Sequence, residues 1–244
     1  MSNYIALDCV AHQNLKVCTQ YDEVFGGNTN HALVFPTEFE VLHREYPIFF
    51  RRKETSGYYA ICILGFDKNE NLFLENGNWA ARSIPAMFMR GPFALQLTHN
   101  ENALQTEAEP IVMVDLDNAR INPDVGESIF QAHGGYTPYF KEILQAMRKI
   151  HVGNQSTESF FAILDKFKLI EPIEIKVDMA EKGTYNIADL FTISRERLAE
   201  LCSDELHELN SLGLLEHCFS VVSSAGNMSH LVNMKIRSSV SSKS

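Results

Sequence analysis

The 244-residue sequence predicts an α+β fold, a strand-rich N-terminal half built as an antiparallel meander and packed with a helix-rich C-terminal half. Three observations carry this reading. Short aromatic and aliphatic runs separated by Gly, Asn and Asp turns fill residues 48–98. Apolar residues at intervals of three and four mark residues 140–167 and 198–209. No internal repeat and no Pro-rich or Gly/Ser linker divides the chain, so residues 1–236 read as one domain. Any sub-boundary would fall at 118–137, and the Ser-rich residues 237–244 read as a disordered tail.

Taken in order, residues 1–34 are mixed in character, with a loop at Gly26-Gly27-Asn28. From Pro36 the spacing of Phe35, Phe39, Leu42 and Tyr46 predicts a helix that Pro47 closes. Strands are expected at Ile48–Arg51, Tyr58–Phe66 and Asn71–Leu74, forming a three-stranded meander. Further strands are expected at Ala94–Thr98 and Ile111–Leu116, flanking the polar stretch His99–Glu109, which reads as an exposed loop. Phe140, Ile143, Leu144, Met147 and Ile150 mark one helix, stopped by Gly153-Asn154; Ser156 or Thr157 would cap the next, with Phe160, Ile163, Leu164 and Phe167 on its inner face. Ile173, Ile175 and Val177 alternate with Glu174 and Lys176, a strand with one wet side, and its partner lies near Tyr185–Phe191. Ser194 caps a helix running to Leu209 and ended by Gly213. Leu214–Val222 reads equally as strand or helix, and Met228, Leu231 and Val232 suggest a last short helix.

Composition narrows the function classes. A net charge of -10 argues against a nucleic-acid partner, which needs a basic surface, and against docking on anionic lipid. The opening MSNYIALDCV lacks the basic and apolar regions of a signal peptide, and no apolar run reaches the 18 residues or so of a spanning helix, so no membrane insertion is expected. Cys9, Cys18, Cys62, Cys202 and Cys218 show no CxxC spacing and read as reduced thiols of a cytoplasmic protein.

The stretch Asn71–Phe93 is the architectural centre. It holds the one Trp of the sequence, Trp79, just after the turn sequence Glu75-Asn76-Gly77-Asn78. At that position the ring can be buried while its N–H finds an acceptor. Ile84, Met87 and Phe88 share one helical face, with Pro85 tolerable in the first turn and Arg90-Gly91-Pro92 ending the helix.

Several short pieces recur in order: Pro36–Phe39, Tyr46-Pro47-Ile48-Phe49, Leu64-Gly65, Asn71-Leu72-Phe73, Trp79, Ile84-Pro85-Ala86, and Arg90 with Pro92-Phe93. Together with Ile129-Phe130, Gly134, the Leu190–Leu201 segment and the Gly213–Leu231 segment, they resemble the bacterial SapC family over roughly residues 10–236. That family is named after a component associated with a surface-layer protein system. Gly91 stands where members often carry an aromatic or basic residue, and Gln131 where an acidic one is common. The resemblance implies an accessory role in a surface-layer or envelope-related pathway.

Two constellations compete for chemistry. Arg51-Arg52-Lys53, with Arg82 and Arg90, concentrates positive charge in an acidic chain, and Tyr46, Phe49, Trp79 and Phe93 could wall a site there for a carboxylate or acidic peptide. The competing reading makes Arg90 a structural ion-pair partner and the aromatics core. Separately, His99-Asn100-Glu101 has the H-x-E form of a non-haem iron site, with His133 or His151 as the distal ligand. Against it, short motifs arise readily by chance. Cys62 reads as a buried inert thiol, and Asp115 and Asp117 read as paired carboxylates or turn caps. The sequence therefore favours a non-enzymatic binding or accessory protein with a peptide or protein partner and no cofactor. A metal-dependent oxygenase is the alternative, and homo-oligomerisation is compatible with either.

Overall fold

A computed structural model of the chain describes residues 3–22, 24–97, 110–179 and 183–241. The fold is α+β, with antiparallel sheets in the first half and helices concentrated in the second. Strands β1 (Tyr4–Ala6) and β2 (Lys16–Val17) precede β3 (His31–Val34). A 3-10 turn at Pro36–Glu38 runs into the short helix α1 (Phe39–Leu42). Then come β4 (Ile48–Arg52), β5 (Tyr58–Ile63), the hairpin β6 (Leu74–Glu75) and β7 (Asn78–Trp79), helix α2 (Ala86–Met89), β8 (Phe93–Leu97) and β9 (Pro110–Asp115). Strands β10 (Ile121–Asn122) and β11 (Glu127–Ser128) lead into the long helix α3 (Pro138–Lys166). The hairpin β12 (Ile170–Asp178) and β13 (Thr184–Ile193) follows, then α4 (Arg195–Ala199), α5 (Ser203–Ser211), α6 (Leu214–Ser224) and α7 (Asn227–Ser241).

The main sheet has the order β12-β13-β4-β5-β3, so a C-terminal hairpin completes an N-terminal sheet. Phe50 faces Ala60 on one side and Phe191 on the other. The third strand of the expected meander is not Asn71–Leu74. Its place beside β5 is taken by β3, in register from His31 opposite Ile63 to Val34 opposite Ala60. Asn71 turns away from the ladder because its own side chain competes for the backbone: Oδ1 accepts from Phe73 N at 3.0 Å, and Nδ2 donates to the Gly27 carbonyl at 3.0 Å. The tight turn predicted between Glu75 and Asn78 is present, with Asn76 and Gly77 at φ +51° and +75°, the left-handed pair that a two-residue hairpin loop requires.

Two apolar clusters form the core. The larger joins the main sheet to the C-terminal helices; Phe50 meets Phe161 edge-on at 4.9 Å. The smaller gathers Val17, Phe93, Val114 and Ile129 around Phe140, Ile143 and Met147. Helix α3 serves both, its first half on the small cluster and its second, through Phe160, Phe161 and Leu164, on the large one. It does so as one unbroken helix, although Gly153-Asn154 was expected to stop it. Gly153 is there for space: a Cβ on it would lie 2.4 Å from Phe35 Cβ and 2.7 Å from Thr37 Oγ1. Thr37 Oγ1 donates to the Lys149 carbonyl at 3.0 Å across the same contact. Ser156 and Thr157 do not cap a new helix; both hydroxyls donate back to the Gly153 carbonyl, at 3.1 and 2.7 Å.

Leu214–Val222 is helical, and α7 continues through Ser241, past the point at which the sequence suggested a disordered tail. The C-terminal pair docks by backbone capture. Ser224 Oγ accepts from Ile48 N at 2.9 Å, and Asn227 Nδ2 donates to the His43 and Tyr46 carbonyls at 2.7 and 3.2 Å. The predicted polar loop lies in 98–109, outside the described residues.

Helix propensity alone would make Gly153→Ala stabilising by about 1 kcal/mol. The contact with Phe35 reverses the sign: chemical denaturation should show Gly153→Ala destabilised by about 1–3 kcal/mol, as overpacking requires. A gain in stability would show that α3 does not press on the 3-10 turn.

Candidate functional site

The centre at Trp79 is organised by hydrogen bonds to the backbone that follows it. Trp79 Nε1 donates to the Tyr46 hydroxyl at 2.6 Å, and that hydroxyl donates to the Ser83 carbonyl at 2.6 Å. Glu45 accepts from Arg82 N and Ser83 N at 3.0 and 3.1 Å. Glu38, 4% exposed, accepts from Phe35 N at 3.1 Å and from Ala86 N, at the start of α2, at 2.7 Å. Residues 82–86 are thus held by two carboxylates and a phenol presented from residues 38–46. Rings complete the support: Tyr46 packs on Phe73 at 4.5 Å, and Trp79 on Phe88 at 4.9 Å and Tyr21 at 5.5 Å.

Beside this fixed loop lies a cleft of about 440 Å³, within the range of ligand sites. One wall is Glu38, Val41 and Leu42, and a second is Arg82, Ser83, Ile84, Ala86 and Met89. The third is a stripe of α3, Glu142, Gln145, Ala146 and Lys149, spaced i, i+3, i+4, i+7 and therefore on one face. Its floor is apolar and its rim charged. The side chains of Arg82 and Lys149 enter no ion pair with the described residues.

The other sequence-predicted residues disperse. Arg90 donates through Nη1 to the Phe93 carbonyl at 2.8 Å and lines a separate hollow with Leu33, Met87 and His151. Arg51 lines a third hollow with His31 and Asn186, its buried Nε having no hydrogen-bond partner among the described residues. Arg52 stacks over Tyr58 and Phe191 and, with Lys53, lines a fourth. Tyr46, Phe49 and Phe93 are at most 1% exposed and are core, Phe93 in the smaller cluster and the other two in the larger. Only Arg82 of the set reaches the cleft, while Trp79, half-buried, supports its wall from behind. Sequence reasoning missed Glu38, Glu142, Gln145 and Lys149, although the α3 stripe was present as a helical spacing and Glu38 sits inside the Pro36–Phe39 motif.

The SapC family profile matches residues 7–231. The chain belongs to the SapC family. No curated protein and no solved structure matches it. In this SapC-family protein the Trp79 centre, the Ile84-Pro85-Ala86 piece and the Pro36–Phe39 piece meet around one carboxylate, that of Glu38.

Of the oxygenase set, His99 and Glu101 lie outside the described residues, His133 is exposed, and His151 is on α3 in the hollow of Arg90. Among the described residues no group of three or more His, Cys, Asp or Glu side chains stands close enough to hold a metal ion. Asp115 caps its turn, accepting through Oδ1 from Asn3 N at 2.8 Å and Asp117 N at 3.3 Å. Burial raises the Cys62 thiol well above its ordinary range and pushes Cys218 up to about 12. No described helix is long and apolar enough to cross a membrane.

Two measurements probe the centre. Tyr46→Phe strips Trp79 Nε1 and the Ser83 carbonyl of their shared partner, so a loss of about 1–3 kcal/mol is expected by urea unfolding, with a change in Trp79 fluorescence. A loss within about 0.5 kcal/mol would show the hydroxyl to be replaceable. Glu38 supplies a pH signature. Burial raises its pKa, against the bonds from Ala86 and Phe35 and the nearby Lys149. Its contribution to stability is then full below the ordinary carboxylate range and is lost as pH rises through the elevated folded value. The stability of the wild type relative to Glu38→Gln should therefore decline as pH rises above the ordinary carboxylate range. A difference that does not vary with pH would place Glu38 at its ordinary value.

Proposed function

We propose that this SapC-family protein is a non-enzymatic binding or accessory protein that holds a peptide segment or a loop of a partner protein in the cleft between α1, residues 82–89 and α3. The observation that carries the reading is the cleft itself. Its backbone wall is already fixed by Glu38, Glu45 and Tyr46, and Arg82 and Lys149 stand at its rim in no ion pair with the described residues. A pre-formed wall loses little freedom on binding, and unpaired cations select a segment bearing carboxylates. The family name supports placing this step in a surface-layer or envelope-related pathway.

The test is a pull-down from the native host with wild type and with an Arg82→Ala, Lys149→Ala double variant, each checked for folding by circular dichroism. The wild type should recover a partner whose retention falls as salt is raised to about 1 M, and the double variant should lose it. Recovery of the same partner by the folded double variant would remove the cleft from the reading.

A further inference from the structure

One edge of the main sheet is β12, nine residues long and paired, among the described residues, along one side only, to β13. Two bonds fix which way its backbone faces. Ser194 N donates to the Leu169 carbonyl at 2.8 Å, and Met179 N to the Gly183 carbonyl at 3.0 Å, so at both ends an odd-numbered residue of this strand bonds β13. The irregularity between Ile173 and Ile175 adds one residue to β13 and none to β12: Ile173 faces Leu190 and Ile175 faces Ile187. The odd parity therefore holds throughout, and Pro172, Glu174 and Lys176 turn their backbone groups outward. Pro172 has no N–H to offer and sits where an edge strand tolerates proline. Side chains divide the same way. Glu174 and Lys176 are exposed on one face, while Ile173 and Ile175 are half-buried against the larger core.

We propose that β12 pairs antiparallel with β12 of a second copy of this chain, about a two-fold axis at Ile175, joining the two five-stranded sheets into one. This register is self-complementary at each level. Glu174 falls opposite Lys176 of the second copy, and both are residues whose backbone groups face outward, so the two exchange their N–H···O bonds. Their side chains lie on one face with opposite charge, so the ion pair that Glu174 and Lys176 now form along the strand, at 3.1 Å, is re-formed across the axis in duplicate. On the other face Ile173 meets Val177 and Ile175 meets its own copy. A centre at residue 173 sets Glu174 opposite Pro172 and loses this match, and a centre at 177 sets Lys176 opposite Asp178 but overlaps the two strands over residues 176–178 alone. Of the usual protections of an edge, Pro172 and Lys176 are present, but the strand is long, the bulge is on its inner neighbour, and the charge of Lys176 is offset by that of Glu174. This inference is independent of the cleft.

Sedimentation equilibrium of the full chain is the test, with Glu174→Lys, Lys176→Glu and the double swap. The wild type should be dimeric, and each single reversal, which sets like charges opposite one another twice, should raise the dissociation constant by about tenfold or more. The double swap mirrors the pattern and should restore the dimer. Oxidative cross-linking reads the register without depending on those variants. In a Cys9→Ser, Cys202→Ser background, Ile175→Cys should form an intermolecular disulfide, because a non-hydrogen-bonded pair sets Cα atoms about 4.5 Å apart. Ile173→Cys should not. A monomer at all concentrations up to about 100 μM, a dimer indifferent to the single reversals, or cross-linking through residue 173 in preference to 175 would each overturn the proposal.

Discussion

A carboxylate at Glu38 is the interaction on which the arrangement around the cleft depends. A carboxylate this buried is destabilising unless its oxygens are engaged. Here one oxygen takes Phe35 N and the other takes Ala86 N. The first bond closes the 3-10 turn on its own start. The second reaches forty-eight residues along the chain and fixes where α2 begins. Neither segment can move away without leaving the carboxylate unpaired, so the sequence around Pro36 and the sequence around Pro85 are locked as one unit. Glu45 and Tyr46, seven and eight residues further along, add a second grip on the same loop. The result is a stretch of irregular backbone, residues 82–86, in which Arg82 N, Ser83 N, the Ser83 carbonyl and Ala86 N bond side chains instead of a ladder.

Helix α3 extends that rigidity to the rest of the molecule. Its close approach to the 3-10 turn at Gly153 is possible only without a side chain, and the turn in turn carries Glu38. One face of the helix thus presses on the element that positions the loop, while its earlier turns supply the third wall of the cleft. The same helix packs into both apolar clusters, and the cleft beside it has the buried Ala146 and Leu42 in its lining. A wall made by a continuous helix of 29 residues is more exactly placed than one made by a loop.

Much of this was legible in the sequence where local chemistry decides the outcome. The Asn76-Gly77 turn, the burial of Trp79 with a partner for its N–H, the cap at Ser194 and the wet-sided strand at Ile173–Val177 all follow from residue type and spacing. What was not legible depends on contacts distant in sequence. Gly153 reads as a helix stop unless Phe35 is known to lie against it. Asn71 reads as the start of a strand unless Gly27 is known to accept its amide. The basic cluster fails for a reason the sequence did contain: Arg51 and Arg52 are successive residues of one strand, so their side chains leave opposite faces and cannot converge. The α3 stripe shows the converse. Its spacing was visible, but nothing local says that Glu142 and Lys149 will face Arg82.

The charge distribution determines how the cleft can select. At a net charge of -10 the protein repels an acidic segment at long range, and the two cations at the rim do not reverse that field. Screening shortens the repulsion to about 8 Å at physiological ionic strength, a distance comparable to the cleft itself. Beyond it a segment gains nothing from approaching; within it Arg82 and Lys149 dominate, and Glu142 opposes any segment that presents its carboxylate on the wrong side. For the partner we propose, discrimination therefore resides in short-range fit and dissociation rate, and encounter contributes little. The same argument applies to the edge of β12, where Glu174 and Lys176 cancel locally. In the dimer we propose, two copies that repel as whole molecules would meet at a centre where these two charges cancel, with Asp178 leaving the strand end acidic, and pairing would be decided by register. In both places an acidic protein keeps non-specific contacts away and leaves recognition to a few side chains whose positions the backbone has already set.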